Sequence, residues 1–222
     1  MLDVELMENK QLIGLLGGTS WPSTISYYEE LNRKIQYPRI LLYSIDYGTI
    51  KPLYGKPNNW NKIAEMLKAE IEIIMSKGID SLIICNNTLH KAFDIIENEL
   101  NLKIPVHHAG KLSAKKAREI GAKKVLLLAT KFTMQDGFFA KYFTEIGIEI
   151  VLPSLNEMEE IQIMQTQIAN GKILPEFSEK FEEIIKNNKS DAVCLACTEL
   201  PLAVKNSPIP VINPMVEQIG SL

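Results

Sequence analysis

With 222 residues, 46% of them hydrophobic and 23% charged, the chain is long enough to bury one large or two small cores and too apolar to be disordered. The formal charge of −3, with lysines scattered beside glutamates, gives no basic surplus and argues against nucleic acid as a partner. No apolar stretch approaches the roughly 20 residues of a membrane span, the acidic Met1-Leu-Asp-Val-Glu-Leu-Met-Glu-Asn-Lys10 is unlike a signal peptide, and three cysteines without an export signal read as free thiols. A cytoplasmic protein with no membrane contact and no disulfide framework is expected.

Along the chain, short apolar runs alternate with stretches of helical period. The pattern predicts a strand at 11–16, a helix at 24–35, a strand at 40–46 and, at 47–59, a segment holding Pro52, Tyr54, Gly55 and Pro57 that is suited to cover a pocket as a lid. A helix at 59–77, a strand at 81–86, a helix at 88–99 and a strand at 104–107 follow. The remainder reads as a helix at 109–120, a strand at 125–129, a helix at 133–146, a strand at 149–152, helices at 155–170 and 175–187, and strands at 192–196 and 211–212. Such alternation implies an α/β protein with parallel sheets and helices on both faces. The division falls near residue 109, giving one domain of 1–109 plus 210–222 and another of 110–209.

In open parallel sheets ligands bind beyond the carboxyl ends of the strands, so chemistry is sought at strand ends. The first candidate is Gly17-Gly18-Thr19-Ser20, where glycines admit a close backbone approach and the following Thr and Ser offer donors to an anion; it reads equally well as a tight strand-to-helix connection. Its spacing matches neither a dinucleotide fingerprint nor a phosphate-cradling loop, so no nucleotide cofactor is expected. The second is Ser81-Leu-Ile-Ile-Cys-Asn-Asn-Thr-Leu-His-Lys91, whose Asn86, Asn87 and Thr88 at a helix start suit a carboxylate.

The third candidate is Asp191-Ala-Val-Cys-Leu-Ala-Cys-Thr-Glu-Leu-Pro-Leu202. Here Cys197, Thr198 and Glu199 begin a helix, whose positive end is expected to lower the thiol pKa. The second and third clusters lie about half the chain apart, as if two similar halves each aimed one at a shared cleft. A buried cysteine is ordinarily packing, and the Cys194/Cys197 pair sits in a strand running up to its helix, unlike a redox motif at a helix start. No further Cys pair or His cluster supplies metal ligands, so no metal is expected. His90 either holds its loop by a hydrogen bond or orients a substrate, and nothing marks His107 or His108 as catalytic. Trp21 is expected to pack on the sheet or wall a pocket, and 157–160 and 182–186 read as solvated helix faces.

Taken together, Gly17-Gly18-Thr19-Ser20-Trp21-Pro22-Ser23-Thr24, Ser44-Ile-Asp46, Asn87-Thr88-Leu89-His90-Lys91, Leu128-Ala-Thr-Lys-Phe-Thr-Met134 and Cys197-Thr198-Glu199-Leu200-Pro201-Leu202 resemble the Asp/Glu racemase superfamily, in particular its aspartate racemase branch. The resemblance covers nearly the whole chain. It implies two similar Rossmann-like or flavodoxin-like α/β domains with mainly parallel sheets, an active site in the interdomain cleft, no cofactor, a small amino acid or dicarboxylate as ligand, and a homodimer. It also implies two thiols that exchange the Cα proton on opposite faces of aspartate or glutamate. Gly18, Thr19, Asn87, Thr88, Thr130, Lys131, Thr198 and Glu199 would hold the substrate, with Lys131 a source of positive charge.

One departure bears on the chemistry. The family's first thiol stands directly before the Asn-Thr pair, where this chain has Asn86; Cys85 is one residue earlier and, on a strand, points to the opposite face. Catalysis is therefore expected from Cys197, with Asn86, Cys85 or a bound water assisting opposite. The alternatives are a single-thiol decarboxylase or isomerase of small dicarboxylates, and a homologue that binds an amino acid without turnover.

Overall fold

The apolar runs form two separate parallel sheets. The computed structural model describes residues 11–54, 56 and 59–222; the acidic stretch 1–10, and Gly55 and Pro57 of the expected lid, lie outside the described residues. The first sheet holds β1 (Leu12–Gly17), β2 (Arg39–Ser44) and β3 (Ser81–Ile84) in the order β2-β1-β3. A parallel strand covered on both faces must be apolar at consecutive positions: β1 and β3 are buried along nearly all their length, whereas β2 at the edge is half-buried or exposed throughout. The helices connected to this sheet are α1 (Trp21–Lys34), the short α2 (Tyr47–Ile50), α3 (Trp60–Met75) and α4 (Leu89–Ile96). Tyr27, Leu31, Ile63, Leu67 and Ile71 from α1 and α3 are fully buried.

The second sheet contains β4 (Lys124–Leu128), β5 (Glu149–Val151), β6 (Ala192–Leu195) and β7 (Val211–Ile212), in the order β5-β4-β6-β7. Its helices are α5 (Ala109–Glu119), α6 (Lys131–Asp136), α7 (Lys141–Thr144), α8 (Leu155–Ala169), α9 (Pro175–Asn187), α10 (Leu200–Ala203) and α11 (Pro214–Gly220). Leu126 and Leu127 of the central strand share one core with Phe139, Phe143, Ile161 and Phe181. A capping box starts α8: the Ser154 hydroxyl accepts from the Glu157 N–H while the Glu157 carboxylate accepts from the Ser154 N–H.

The two sheets repeat one device. Asp80 directly precedes β3, and its carboxylate accepts the Leu12 N–H at 2.6 Å while its own N–H donates to the Leu12 carbonyl. Asp191 directly precedes β6, its carboxylate accepts the Lys123 and Lys124 N–H groups at 2.8 Å, and its N–H donates to the Lys124 carbonyl. In each half this pins the start of the strand that ends at a polar cluster against its central neighbour.

Several expectations are corrected. The chain divides into one unit reaching residue 85 together with 92–107 and another of 86–91 with 108–221. Residues 210–221 therefore group with the second unit: the free edge of β6 takes β7 as its partner, the Val193 N–H donates to the Pro210 carbonyl at 2.9 Å, and α11 packs on α5. The expected strand at 104–107 is a single bridge between Leu82 and Val106, because Pro105 has no N–H to extend a ladder. The expected helix at 133–146 is α6 and α7, separated at Gly137 with φ 83°. Helix α1 starts earlier than expected, with Pro22 in its first turn, and Trp21 is 70% exposed rather than packed on the sheet. The described part of the expected lid contains α2 and a 3₁₀ turn at Lys51–Leu53, with Tyr54 between the rings of Tyr47 and Trp60.

Asp191 supplies a test of the strand-start device. The Lys124 and Lys123 N–H groups hold its carboxyl below the ordinary value of 3.8. A group depressed in the folded state contributes stability that is present above its unfolded pKa and drains as pH falls through the folded one. Asp191→Asn is expected to melt below the native protein at pH 7, and the gap should close as pH drops below 3.8 in a series of calorimetric melts.

Candidate active site

At the end of β6 the chain leaves the sheet through Ala196 and Cys197 before α10 begins. Cys197 is 7% exposed, whereas Cys85 and Cys194 are fully buried, and all three are free thiols. The Cys197 S–H donates to a Glu199 carboxylate oxygen at 2.9 Å, and the Thr198 hydroxyl donates to the same oxygen at 3.2 Å. Glu199 is only 4% exposed, so this carboxylate is held by its own neighbours in the sequence. Burial pushes the Cys197 thiol well above its ordinary range, and the charge and hydrogen bond of Glu199 push it further; the Glu199 backbone N–H and the Gln165 side chain pull the other way.

The expectation of a thiol lowered by a helix dipole is therefore overturned. Helix α10 has four residues and little dipole to offer, while burial and a carboxylate both favour the neutral S–H. Cys194, in the strand itself, is pushed up chiefly by burial, in keeping with packing rather than redox chemistry.

The matching cluster after β3 is built differently. Cys85 has no exposed surface, its thiol donates to the Ile83 carbonyl at 3.9 Å, and burial raises its pKa. The Asn86 side-chain oxygen accepts the Leu89 N–H at 2.8 Å and caps α4, which turns the amide toward its own helix. Asn87 is 4% exposed, and neither its amide oxygen nor its amide nitrogen has a hydrogen-bond partner. An unmet buried amide costs on the order of 1–3 kcal/mol, which a bound carboxylate or ammonium group would relieve.

Segment 86–91 is fastened to the second unit by His90 and Lys91. The His90 Nδ1 lies 3.0 Å from the Asn86 carbonyl, which can only accept, and the Ala109 N–H, which can only donate, reaches His90 Nε2 at 3.1 Å. The imidazole is thus the neutral tautomer protonated on Nδ1, with both nitrogens engaged. Its ring stands edge-on to His108 at 4.4 Å; His108 Nδ1 caps α5 by accepting from Gly110 and Lys111, and its Nε2 bonds the Tyr142 hydroxyl at 3.2 Å. Lys91 pairs with Asp136 at 2.5 Å and lies over the Phe132 ring.

The remaining expected residues are placed unevenly. Thr130 caps α6, accepting the Thr133 N–H at 3.3 Å and bonding its hydroxyl at 3.0 Å. The Lys131 ammonium is turned to Glu159 of α8, and its backbone N–H donates to Gln162 Oε1 at 2.9 Å, so neither is directed to a ligand. Asn86, Asn87, Thr88, Thr130, Lys131, Cys197, Thr198 and Glu199 all belong to the second unit, and Gly18 and Thr19 to the first. The Gly18 N–H donates to Thr24 Oγ1 at 3.1 Å, and at φ 95° a Cβ there would lie 2.4 Å from the Ser44 hydroxyl. This favours the tight connection over an anion cradle. Sequence reading missed Gln162, while the expected solvated face at 157–160 is exposed at Glu159 and Glu160, with Glu157 capping α8 and Glu159 pairing with Lys131 at the surface. Among the described residues no group of His, Cys, Asp and Glu could hold a metal ion, and no helix is long and apolar enough to cross a membrane.

Comparison with known proteins places this geometry in context. The family model described as Asp/Glu/Hydantoin racemase matches residues 16–221. The structure of an aspartate racemase homologue from Pyrococcus horikoshii OT3 is similar at a TM-score of 0.80 and 29% identity, over 95% of this chain and 96% of that one. An aspartate racemase from Picrophilus torridus shares the fold at a TM-score of 0.67 and 23% identity, over 95% and 94% of the two chains. A glutamate racemase of Clostridium botulinum is 26% identical over 136 residues, which are 59% of this chain, and the match spans only about half of that enzyme's length, 51%.

Removing the His90 ring tests the fastening of segment 86–91. His90→Ala leaves the Asn86 carbonyl and the Ala109 N–H unmet, a loss on the order of 2–4 kcal/mol and a fall of roughly 5–15 °C in melting temperature. His90→Asn, which can still donate to the Asn86 carbonyl, is expected to recover about half of that fall in the same melts.

Proposed function

Because the chain belongs to the Asp/Glu/Hydantoin racemase family, we propose that it is a cofactor-independent amino-acid racemase, acting on aspartate, glutamate or a related small amino acid by proton transfer between Cα and the Cys197 thiol. The observation that carries this reading is the Cys197 S–H resting on a buried Glu199 carboxylate at 2.9 Å. With its proton passed to Glu199, the sulfur is a thiolate that can take the Cα proton, leaving the electron pair delocalised into the substrate carboxylate. With its proton in place, the same thiol returns hydrogen to that carbanion. Asn87 offers two N–H donors and one acceptor to the substrate's carboxylate and ammonium groups, with the hydroxyls of Thr88, Thr130 and Thr198 as further candidates.

The opposite face of Cα has no second thiol in this reading, since Cys85 is sealed and Asn86 caps a helix with an amide that does not titrate. A water must serve there, and exchange should favour one enantiomer. The same feature favours a second reading, a decarboxylase or isomerase of small dicarboxylates in which Cys197 alone protonates an enolate-like intermediate. The Lys91 and Lys131 cations are paired with Asp136 and Glu159. The partner we propose for the chain itself is a second copy: α1 exposes Trp21, Ile25 and Tyr28 on one face, and light scattering should give twice the mass of one chain.

Incubation with L-aspartate or L-glutamate in deuterium oxide separates the readings. Racemisation predicts Cα deuteration by NMR together with the D enantiomer by chiral chromatography, and at least about a 100-fold loss of both in Cys197→Ser. Exchange that persists in Cys197→Ser sinks the proposal; a dicarboxylate that raises the melting temperature without exchange points to binding alone. Lys131→Met should leave that stabilisation within about twofold in apparent affinity, because its ammonium is held by Glu159.

A further inference from the structure

The side-chain amide of Asn87 is buried with no hydrogen-bond partner, yet the backbone that carries it is held on both sides by a single residue. The peptide carbonyl before it, that of Asn86, faces His90 Nδ1 at 3.0 Å, and the carbonyl after it, its own, accepts the His90 backbone N–H at 3.3 Å. The turn is closed around these bonds by the Leu89 N–H on the Asn86 side-chain oxygen at 2.8 Å and by the Lys91 N–H on the Thr88 carbonyl at 3.1 Å. A residue has only two soft backbone dihedrals, and both of Asn87 lie between peptide planes fastened to His90, so the direction of its Cα–Cβ bond follows from that residue.

The His90 ring is oriented in its turn. The Ala109 N–H can only donate, so His90 Nε2 accepts it at 3.1 Å and the ring proton sits on Nδ1, the nitrogen facing the Asn86 carbonyl. Ala109 opens α5, and the next two N–H groups of that helix, of Gly110 and Lys111, are capped by His108 Nδ1 at 3.1 and 3.3 Å. With Nδ1 accepting, His108 donates from Nε2 to the Tyr142 hydroxyl at 3.2 Å. Gly110 permits that approach, since a Cβ there would lie 2.4 Å from the Tyr142 ring. His90 therefore hangs on a helix start that is itself tied to α7.

We propose that His90 is a positioning residue for ligand binding: its Nδ1–H bond to the Asn86 carbonyl aims the Asn87 amide, which meets the carboxylate and ammonium groups of a small amino acid. The inference rests on the reading of Asn87 as a ligand group. His90 has both ring nitrogens engaged, so it acts through Asn87 and exchanges no proton with the ligand. Its two ring bonds divide the work. The one to the Asn86 carbonyl sets the direction of Asn87, while the one to the Ala109 N–H selects the tautomer and adds stability to the segment. An amide already aimed binds without the ordering cost that a swinging one incurs, so loss of the first bond is read in affinity and loss of the second in stability.

Asparagine and glutamine separate the two bonds, because the carboxamide nitrogen of Asn matches the place of Nδ1 and the carboxamide oxygen of Gln reaches that of Nε2. His90→Asn keeps a donor for the Asn86 carbonyl and leaves the Ala109 N–H unmet; His90→Gln keeps an acceptor for Ala109 and leaves the Asn86 carbonyl unmet. Each variant loses one bond, so the two are expected to melt at similar temperatures below the native chain. Their affinities for L-aspartate and L-glutamate, from calorimetric titration of the full chain well below either melt, are expected to part: within about threefold of native for His90→Asn and roughly tenfold or more weaker for His90→Gln. Asn87→Asp, isosteric but negatively charged, should weaken binding by about tenfold or more. A readout without ligand accompanies these. The side-chain NH2 resonances of Asn87, assigned in an amide NMR spectrum by their loss in Asn87→Asp, should keep their native positions in His90→Asn and move in His90→Gln.

Affinities that follow melting temperature across the two His90 variants overturn the proposal, and so do Asn87 resonances that stay native in His90→Gln. If Asn87→Asp binds as tightly as the native chain, or the native chain binds neither amino acid, the ligand reading of Asn87 fails and the binding role of His90 with it. The Asn87 resonances then show separately whether His90 sets the direction of that amide.

Discussion

The contact between the Cys197 thiol and the Glu199 carboxylate sets the conditions for everything else at this site. A thiol with so little exposed surface, two residues from a carboxylate that is itself buried, rests as S–H because burial and the neighbouring negative charge both oppose the thiolate. The same carboxylate is the nearest place for the proton to go. A group that stores its hydrogen and carries its own acceptor suits work in which the proton leaves and returns. The link between the two residues is short and not helical, since α10 begins only at Leu200 with Pro201 in its first turn. Lengthening that helix backward would carry Glu199 away from the sulfur.

The strand-start device is repeated in both sheets, and the clusters at the far ends of the pinned strands differ: the second alone sets a slightly exposed thiol beside a carboxylate. Asp80 and Asp191 fasten β3 and β6 to their central strands in the same way, and each strand then ends at a turn into a helix. After β6 the turn delivers a thiol and a carboxylate. After β3 it delivers Asn86 and Asn87, whose amides are neither acids nor bases in the neutral range, and His90, whose two ring nitrogens are both hydrogen-bonded. In the proposed reading the first cluster holds the ligand and the second does the chemistry. The unmet amide of Asn87, between a capping Asn86 and a bridging His90, is the clearest sign of that division.

Much of the fold was legible because parallel strands covered on both faces must be apolar without interruption, as in residues 12–16, 82–85 and 125–129. The misread segments are those in which one backbone property overrides the pattern. Pro105 stops a ladder that the apolar run invites, and Gly137 breaks a helix whose period continues across it. Cys197, Glu199 and Asn87 were legible as residues, but not the state of the thiol: a dipole was inferred for a helix that turned out to be a single turn, and nothing local to Cys197 reveals how deeply it is buried. Lys131 looked available because a sequence does not show that Glu159, about one turn into α8, folds back on it. Gln162 carried no signal at all, since a glutamine beside the apolar stripe of a helix reads as solvated until the tertiary fold brings that side against another segment.

The same reasoning bears on direction. Burial and, after it, the Glu199 carboxylate favour the S–H form of Cys197, against the smaller opposing pull of the Glu199 backbone N–H. The resting balance therefore lies with S–H, a state better prepared to give a proton than to take one. If water alone serves the opposite face of Cα, delivery from sulfur should be the easier half of the cycle and abstraction by sulfur the harder.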